Sequence, residues 1–148
     1  MLNENLANNE KNLLIETDLL LALISAGDRH HDEAKELVEN ANVSLSLSPY
    51  SLTELDLLVR AKEIVFTEAR LFYSSMNDLL GYYDIGLFPP KPAYHGEAYE
   101  LRSRYRGLTY FDSLHAAVGI VEDLRLVSYD KEYARVGKLK YSHPKECL

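Results

Sequence analysis

Short apolar runs alternate with segments of helical period, and this alternation limits the possible folds more than any other feature of the chain. Asn12 to Ile15 (NLLI) is an apolar run of strand length, and ETDLLLALIS follows at once as a polar turn opening a helix. NVSLSLSP alternates Val43, Leu45 and Leu47 with serines, the mark of a second strand, and Pro49 suits the first turn of the helix after it. RLVSYD supplies a third strand at Leu126 to Ser128, and KLKYS (Lys138 to Ser142) a last, edge-like one. Strands separated by helices predict βαβ units, and so an α/β fold: a three-layer α/β/α sandwich with a central, mostly parallel sheet.

The helices between the strands follow from apolar spacing. Ala34, Leu37, Val38 and Ala41 place a helix over His31 to Asn40, and Leu52, Leu55 and Val59 form the apolar face of the next, with Glu54 displaced from it. Lys62 to Leu80 reads as a longer helix broken near Gly81. Asp84 to Pro92 is expected to be a loop, because turn residues and prolines crowd it. Ala93 to Arg106 reads as a helix ended by Gly107 in the C′ role. Phe111, Leu114, Val118 and Val121 stripe one more helix, and KEYARV forms a short helical turn. With 148 residues, the chain accommodates one domain over 1–148, with residues 1–11 as a loose leader, and is too short for two ordinary ones.

Several functional classes drop out on composition. No apolar run approaches the roughly 18 residues a membrane-spanning helix needs, and MLNENLANNE is polar and acidic where a secretory signal would be basic and then apolar. A cytoplasmic location, with no membrane partner, is the expectation. Cys147 is the only cysteine, so no intramolecular disulfide can form, and its place one residue from the C-terminus is poor for a nucleophile. The formal charge of −7 opposes a polyanion overall, so a nucleic-acid partner must meet a local basic patch or a bound cation.

The acids fall where such a cation would sit. In open α/β sheets the ligand site lies beyond the carboxyl ends of the strands. Glu16 directly follows the first strand, Asp130 follows the third, Glu54 lies early in the helix leaving the second, and Asp112 opens a helix of its own. Any one of them is explained by capping or by the helix dipole. A right-handed parallel topology, however, brings all these junctions to one edge. Carboxylates held that close raise one another's pKa and call for a cation. Mg²⁺ or Mn²⁺ is the match, because softer metals would need Cys or His at ligand spacing, which the sequence lacks. Such sites usually serve phosphate chemistry. Asp18 opens the same helix as Glu16, so one of the two can cap while the other ligates.

FDSLHAAVGIVEDLRLVSYD and SPYSLTELDLLVRA, and more loosely LLIETDLLLALI, resemble the PIN domain family, the nuclease fold of VapC-like toxins and of several RNA-processing factors, over Asn12 to Tyr141. The resemblance implies a five-stranded parallel sheet and metal-dependent endoribonuclease activity with Mg²⁺ or Mn²⁺. It also implies an antitoxin protein as partner where the chain is a toxin, RNA as substrate, and often a homodimer. It places Glu16, Glu54, Asp112 and Asp130 as the catalytic, metal-holding acids, with Thr17, Asp18 and Ser128 in support. The family usually opens with Asp-Thr-Ser or Asp-Thr-Asn, whereas this chain has Glu16, Thr17 and Asp18. Three outcomes stay open: Glu16 ligates with adjusted geometry, Asp18 substitutes for it, or the protein is a catalytically weakened scaffold that binds RNA or protein. A receiver-type phosphoacceptor would need an adjacent acidic pair after the first strand and a lysine after the last, which IETD and KYSHP do not provide.

His115, three residues after Asp112 and on nearly the same helix face, reads as a satisfied core histidine. His30 and His31 are adjacent, so they do not face one another and read as a capping, solvated pair. Arg102 and Arg106 on one helix face, with Lys131, Arg135, Lys138 and Lys140, are candidates for phosphate contacts. Tyr82, Tyr83 and Tyr94 could stack on bases or cover a dimer face.

Overall fold

The computed structural model describes residues 11–40 and 42–148. The expected leader, apart from Lys11, and Ala41 lie outside the described residues. Among these there are five strands, β1 (Asn12–Ile15), β2 (Ser44–Leu47), β3 (Gly86–Leu87), β4 (Arg125–Val127) and β5 (Tyr141–Ser142). Six α-helices accompany them: α1 (Thr17–Ile24), α2 (His31–Glu39), α3 (Tyr50–Arg60), α4 (Ala69–Tyr82), α5 (Pro92–Arg104) and α6 (Tyr110–Val121). Two 3₁₀ turns, Lys131–Arg135 and Pro144–Cys147, complete the order. The sheet runs β3-β2-β1-β4-β5 with every pair parallel.

β1 is the centre of the sheet because its side chains are buried on both faces. Leu13 and Ile15 point into one layer, with Leu19, Leu20 and Leu23 of α1, Leu37 of α2, Leu55 of α3 and Met76 and Leu80 of α4. Leu14 points into the other, with Tyr94, Ala98 and Leu101 of α5 and Leu114, Ala117 and Val118 of α6. β4 splits in the same way, Val127 to the first layer and Leu126 to the second. A strand covered by helices on both sides needs a continuous apolar run rather than alternation, which is what NLLI and RLV supply.

Three helices end in the same way, without a glycine, and the first of these closures shifts a boundary from expectation. Lys62 adopts φ 60° and ends α3: its amide donates to the Val59 carbonyl and that of Glu63 to Leu58. Asp84 (φ 53°) ends α4 and Asp123 (φ 53°) ends α6 with the same paired bonds, to Gly81 and Leu80 and to Ile120 and Gly119. These are Schellman closures, whose left-handed position glycine normally fills. The helix expected over Lys62 to Leu80 therefore starts only at Ala69 and runs through Gly81 to Tyr82. Gly107 does not take the C′ role: α5 ends at Arg104, no glycine has positive φ, and Arg106 lies off the helix, so it does not share a helix face with Arg102. Because a side chain at Lys62 costs energy in the left-handed region, Lys62→Gly is expected to raise stability by about 1 kcal/mol in urea denaturation.

Two strands also depart from expectation. β3 lies inside the segment expected to be loop, pairing Ser46 with Gly86 and Leu47 with Leu87; two residues flanked by turn formers carry no readable period. β5 is shorter than Lys138 to Ser142, because Leu139 turns inward to pack against Gly119 of α6. On α6, Leu114 and Val118 are buried as expected, but Val121 is 40% exposed. Among the described residues no helix is long and apolar enough to cross a membrane.

Candidate functional site

In the order β3-β2-β1-β4-β5 the chain leaves β1 first to one side and later returns to the other, so β1 and β4 flank the point where the topology reverses. Ligand crevices open at that point, beyond the carboxyl ends of the strands. Glu16 follows the last residue of β1 and caps α1, and Ser128 to Asp130 follow β4. Glu54 reaches the same edge from α3, and Asp112 from the first turn of α6.

At the centre are two carboxylates and an imidazole. His115, fully buried, places Nε2 3.2 Å from Glu54 Oε1 and 3.5 Å from Glu16 Oε2. Its Nδ1 lies 2.7 Å from the buried hydroxyl of Ser48, the residue between β2 and α3. One ligand atom from each of Glu16, Glu54 and His115 lies within 4.8 Å of the others. His115 is buried as expected of a core histidine, but it also belongs to the site. Its spacing from Asp112 was the available signal; its partner Ser48 gave none.

Glu16 and Asp18 divide their work. Asp18 Oδ2 accepts from the Tyr129 amide at 2.8 Å, tying α1 to the end of β4. The Ser128 hydroxyl lies 2.8 Å from Asp18 Oδ2 and 3.0 Å from Glu16 Oε1, and its single proton can serve only one of them at a time. Ser128 Oγ in turn accepts from the Asp130 amide at 3.0 Å. The geometry thus carries Glu16, not Asp18, into the group with Glu54 and His115.

Asp112 stands beside that group. The Thr109 hydroxyl caps its amide at 3.2 Å, and the buried Tyr133 donates its hydroxyl to Asp112 Oδ1 at 3.1 Å. Asp130 caps the following 3₁₀ turn, accepting from the Glu132 amide at 2.9 Å, and its charge acts on Asp112. The bland account of Asp112, an acid complementing a helix dipole, therefore falls short. A dipole partner would sit in water, whereas this one is half-buried against a tyrosine and a second acid.

The protonation behaviour matches this crowding. Burial pushes Glu16 well above the ordinary carboxylate range, reinforced by Asp18 and by the Glu54 charge, with the Ser128 hydroxyl opposing. Burial also raises Asp112, with Asp130 adding to it against Thr109, Tyr133 and His115. Burial works to raise Glu54 too, but its hydrogen bonds with His115 and the Thr17 hydroxyl outweigh it, and the net shift is downward. Raised carboxyls stabilise the fold while protonated and lose that contribution as pH rises through their folded values. Glu54 does the reverse, stabilising above its ordinary value and losing this as pH falls through its lowered one. Without a cation, the protein is therefore expected to lose stability as pH rises above about 4. Glu16→Gln should remove most of that loss and raise stability at pH 8 by roughly 1–2 kcal/mol, read from metal-free thermal melts at both pH values.

The residues fit a divalent cation. Two carboxyls that resist charge, Glu16 and Asp112, stand near the Glu54 carboxylate, and two buried oxygens there, Asp18 Oδ1 and Thr17 Oγ1, make no hydrogen bond of standard geometry. The basic candidates fit a phosphate less well. Arg135 pairs with Glu132 at 2.7 Å, Lys138 with Glu97 at 3.4 Å and Lys140 with Asp123 at 2.9 Å. Arg102 donates to Ser113 and stacks over Tyr110, 5.1 Å from the ring centre. Tyr94 is fully buried with its hydroxyl on Glu122 at 2.6 Å, so it neither stacks on bases nor covers a dimer face; Tyr82 is exposed. His30 stacks on Tyr129 at 3.9 Å and precedes α2, and His31 Nδ1 bonds the Ala22 carbonyl at 2.9 Å.

A parallel sheet in this order, with carboxylates gathered at its carboxyl edge, defines a class of α/β proteins rather than an isolated fold. The chain belongs to the PIN domain family, whose model matches residues 13–139. VapBC2 from Rickettsia felis, solved bound to a DNA fragment from its promoter, is similar in structure, with a TM-score of 0.68 and 17% identity over 89% of this chain and 98% of that one. VapBC-1 from nontypeable Haemophilus influenzae superposes with a TM-score of 0.68 at 14% identity, over 90% of this chain and 98% of that one. Mycobacterium tuberculosis VapC20, a sarcin-ricin loop cleaving toxin, gives 0.66 at 19% identity, over 84% and 95%. No curated protein matches the sequence.

Proposed function

We propose that this chain is a divalent-metal-dependent endoribonuclease acting as the toxin of a toxin–antitoxin pair in the cytoplasm. The observation that carries this reading is the group of Glu16, Glu54 and His115 at the carboxyl edge of a PIN-family sheet, with Glu16 buried and pushed toward its protonated form and Asp112 acted on by the charges of His115 and Asp130. Glu16, Glu54 and Asp112 would hold Mg²⁺ or Mn²⁺ directly or through water, with Asp130 completing the shell. Bound there, such an ion supplies an acidified water and neutralises phosphate charge.

The chain's own groups do the rest. Asp130, braced by the Ser128 hydroxyl at its amide, is placed to orient a water and take its proton. Tyr133 fixes the Asp112 carboxylate, and Asp18 fixes the end of β4. Thr17 keeps Glu54 charged. The similar structures from R. felis and H. influenzae are of VapBC, which supports an antitoxin as the proposed partner; a second copy of this chain is proposed from the family resemblance alone.

The substitution of Glu16 at the opening motif favours a second reading, a weakened scaffold that binds RNA or protein without cutting. Incubation with structured RNA separates the two. Mn²⁺-dependent cleavage, abolished by EDTA and restored by excess Mn²⁺, is the expected result. RNA bound but uncut under the same conditions would favour the scaffold.

A further inference from the structure

We propose that His115 is itself a metal ligand, its Nε2 joining one oxygen each of Glu16 and Glu54 in a mixed nitrogen–oxygen site that takes Mn²⁺ in preference to Mg²⁺. This rests on the reading of the acidic edge as a cation site and extends it to a donor that a purely carboxylate site lacks.

The donor spacing is the first argument. Neighbouring ligands on an ion with bonds of about 2.1 Å stand roughly 3 Å apart, and Nε2 lies 3.2 Å from Glu54 Oε1 and 3.5 Å from Glu16 Oε2. A single N–H would satisfy only one of those oxygens. The second argument is the far side of the ring. The Ser48 hydroxyl, 2.7 Å from Nδ1, can accept a proton there, and with an ion bound this leaves the Nε2 lone pair to face it. Metal-bound histidines are held in this way, their other ring nitrogen donating to an oxygen that sets the ring plane. Without a cation, Nε2 carries the proton and donates it to Glu54, and an ion entering between the two carboxylates would take the place of that proton in a site where His115 is wholly buried and Glu16 nearly so. The third is the buried Thr17 Oγ1, which stands beside Glu54 with no hydrogen bond of standard geometry and so has room to turn toward an ion-bound water.

The identity of the donors sets the choice of ion. Mg²⁺ keeps oxygen ligands and sheds water reluctantly, so an imidazole fixed in its shell is a mismatch. First-row transition ions accept imidazole nitrogen readily. Asp112 and Asp130, beside the group, remain for water-mediated contacts to either ion.

The test combines pulsed EPR of the metal-free protein loaded with Mn²⁺ and calorimetric titration with Mn²⁺ and with Mg²⁺. The expected spectrum carries the coupling of a directly bound imidazole nitrogen, and Mn²⁺ binds at least about tenfold more tightly than Mg²⁺. His115→Gln should erase the coupling and weaken Mn²⁺ by about tenfold or more while changing Mg²⁺ less than about threefold. Mn²⁺ bound without nitrogen coupling, or an equal loss for both ions in the variant, overturns the ligand role and leaves the carboxylate site standing. Failure of either ion to bind the native chain overturns both. Were His115→Gln not to fold, the native spectrum decides alone, and Ser48→Ala, which frees the ring but keeps the imidazole, should weaken Mn²⁺ more than Mg²⁺.

Discussion

Asp112→Asn and Glu54→Gln are each expected to lower Mn²⁺-dependent RNA cleavage about a hundredfold or more, equivalent to about 2.7 kcal/mol of transition-state stabilisation. Neither should unfold the protein. Asp112 is half-buried and held above its ordinary value by burial and by Asp130, so an uncharged isostere relieves repulsion and keeps the Thr109 cap, which accepts from the Asp112 backbone amide. Glu54 lies on α3 with part of its side chain in solvent, and the amide can still meet His115. The checks are a cleavage time course and a thermal melt on the same samples. Wild-type cleavage by Asp112→Asn would remove that residue from the chemistry, and a collapsed melt would make the loss of activity uninformative about it.

Leu14→Ala should do the opposite, destabilising the fold by about 2–5 kcal/mol through lost burial and the cavity left behind. Leu14 is fully buried at the centre of the sheet and is the one apolar β1 side chain in the layer with α5 and α6. In a domain whose total stability is about 5–15 kcal/mol, that is a large fraction. Urea denaturation measures it, and a change below about 1 kcal/mol would mean that the second layer does not rest on β1.

The sequence made the central strands legible because burial on both faces or one leaves a physical signature. After their first residues, Asn12 and Arg125, β1 and β4 are apolar throughout, and the serines of β2 alternate with leucines that all enter one layer. That Glu16 and Glu54 meet at one sheet edge was also readable, since it follows from strand ends and topology rather than from side-chain detail. What was hidden lies where one residue does an unusual job. Lys62, Asp84 and Asp123 occupy left-handed helix closures without being glycine, so a search for glycine misplaces the ends of the helices around them. β3 is too short to carry a period. His115 shows the limit of pattern most clearly: apolar spacing puts it in the core, where it is, but cannot show that its ring bridges to Ser48 on one side and to two acids on the other. Glu16 and Asp18 could not be separated on paper either, because only the position of the Ser128 hydroxyl and Tyr129 amide commits Asp18 to bracing.

Placing β1 at the middle of the sheet also fixes when the molecule becomes whole. Its neighbour on one side, β4, is more than a hundred positions later in the chain, and the residues that close the acidic crevice, from Ser128 to Tyr133, come later still. During translation, a nascent polypeptide that has emerged only as far as α5 carries Glu16 and Glu54 but neither Asp112 nor Asp130. Chains still short of α6 on the ribosome thus lack half of the acids, and a cell making this protein meets the assembled crevice only after the segment through Tyr133 has emerged.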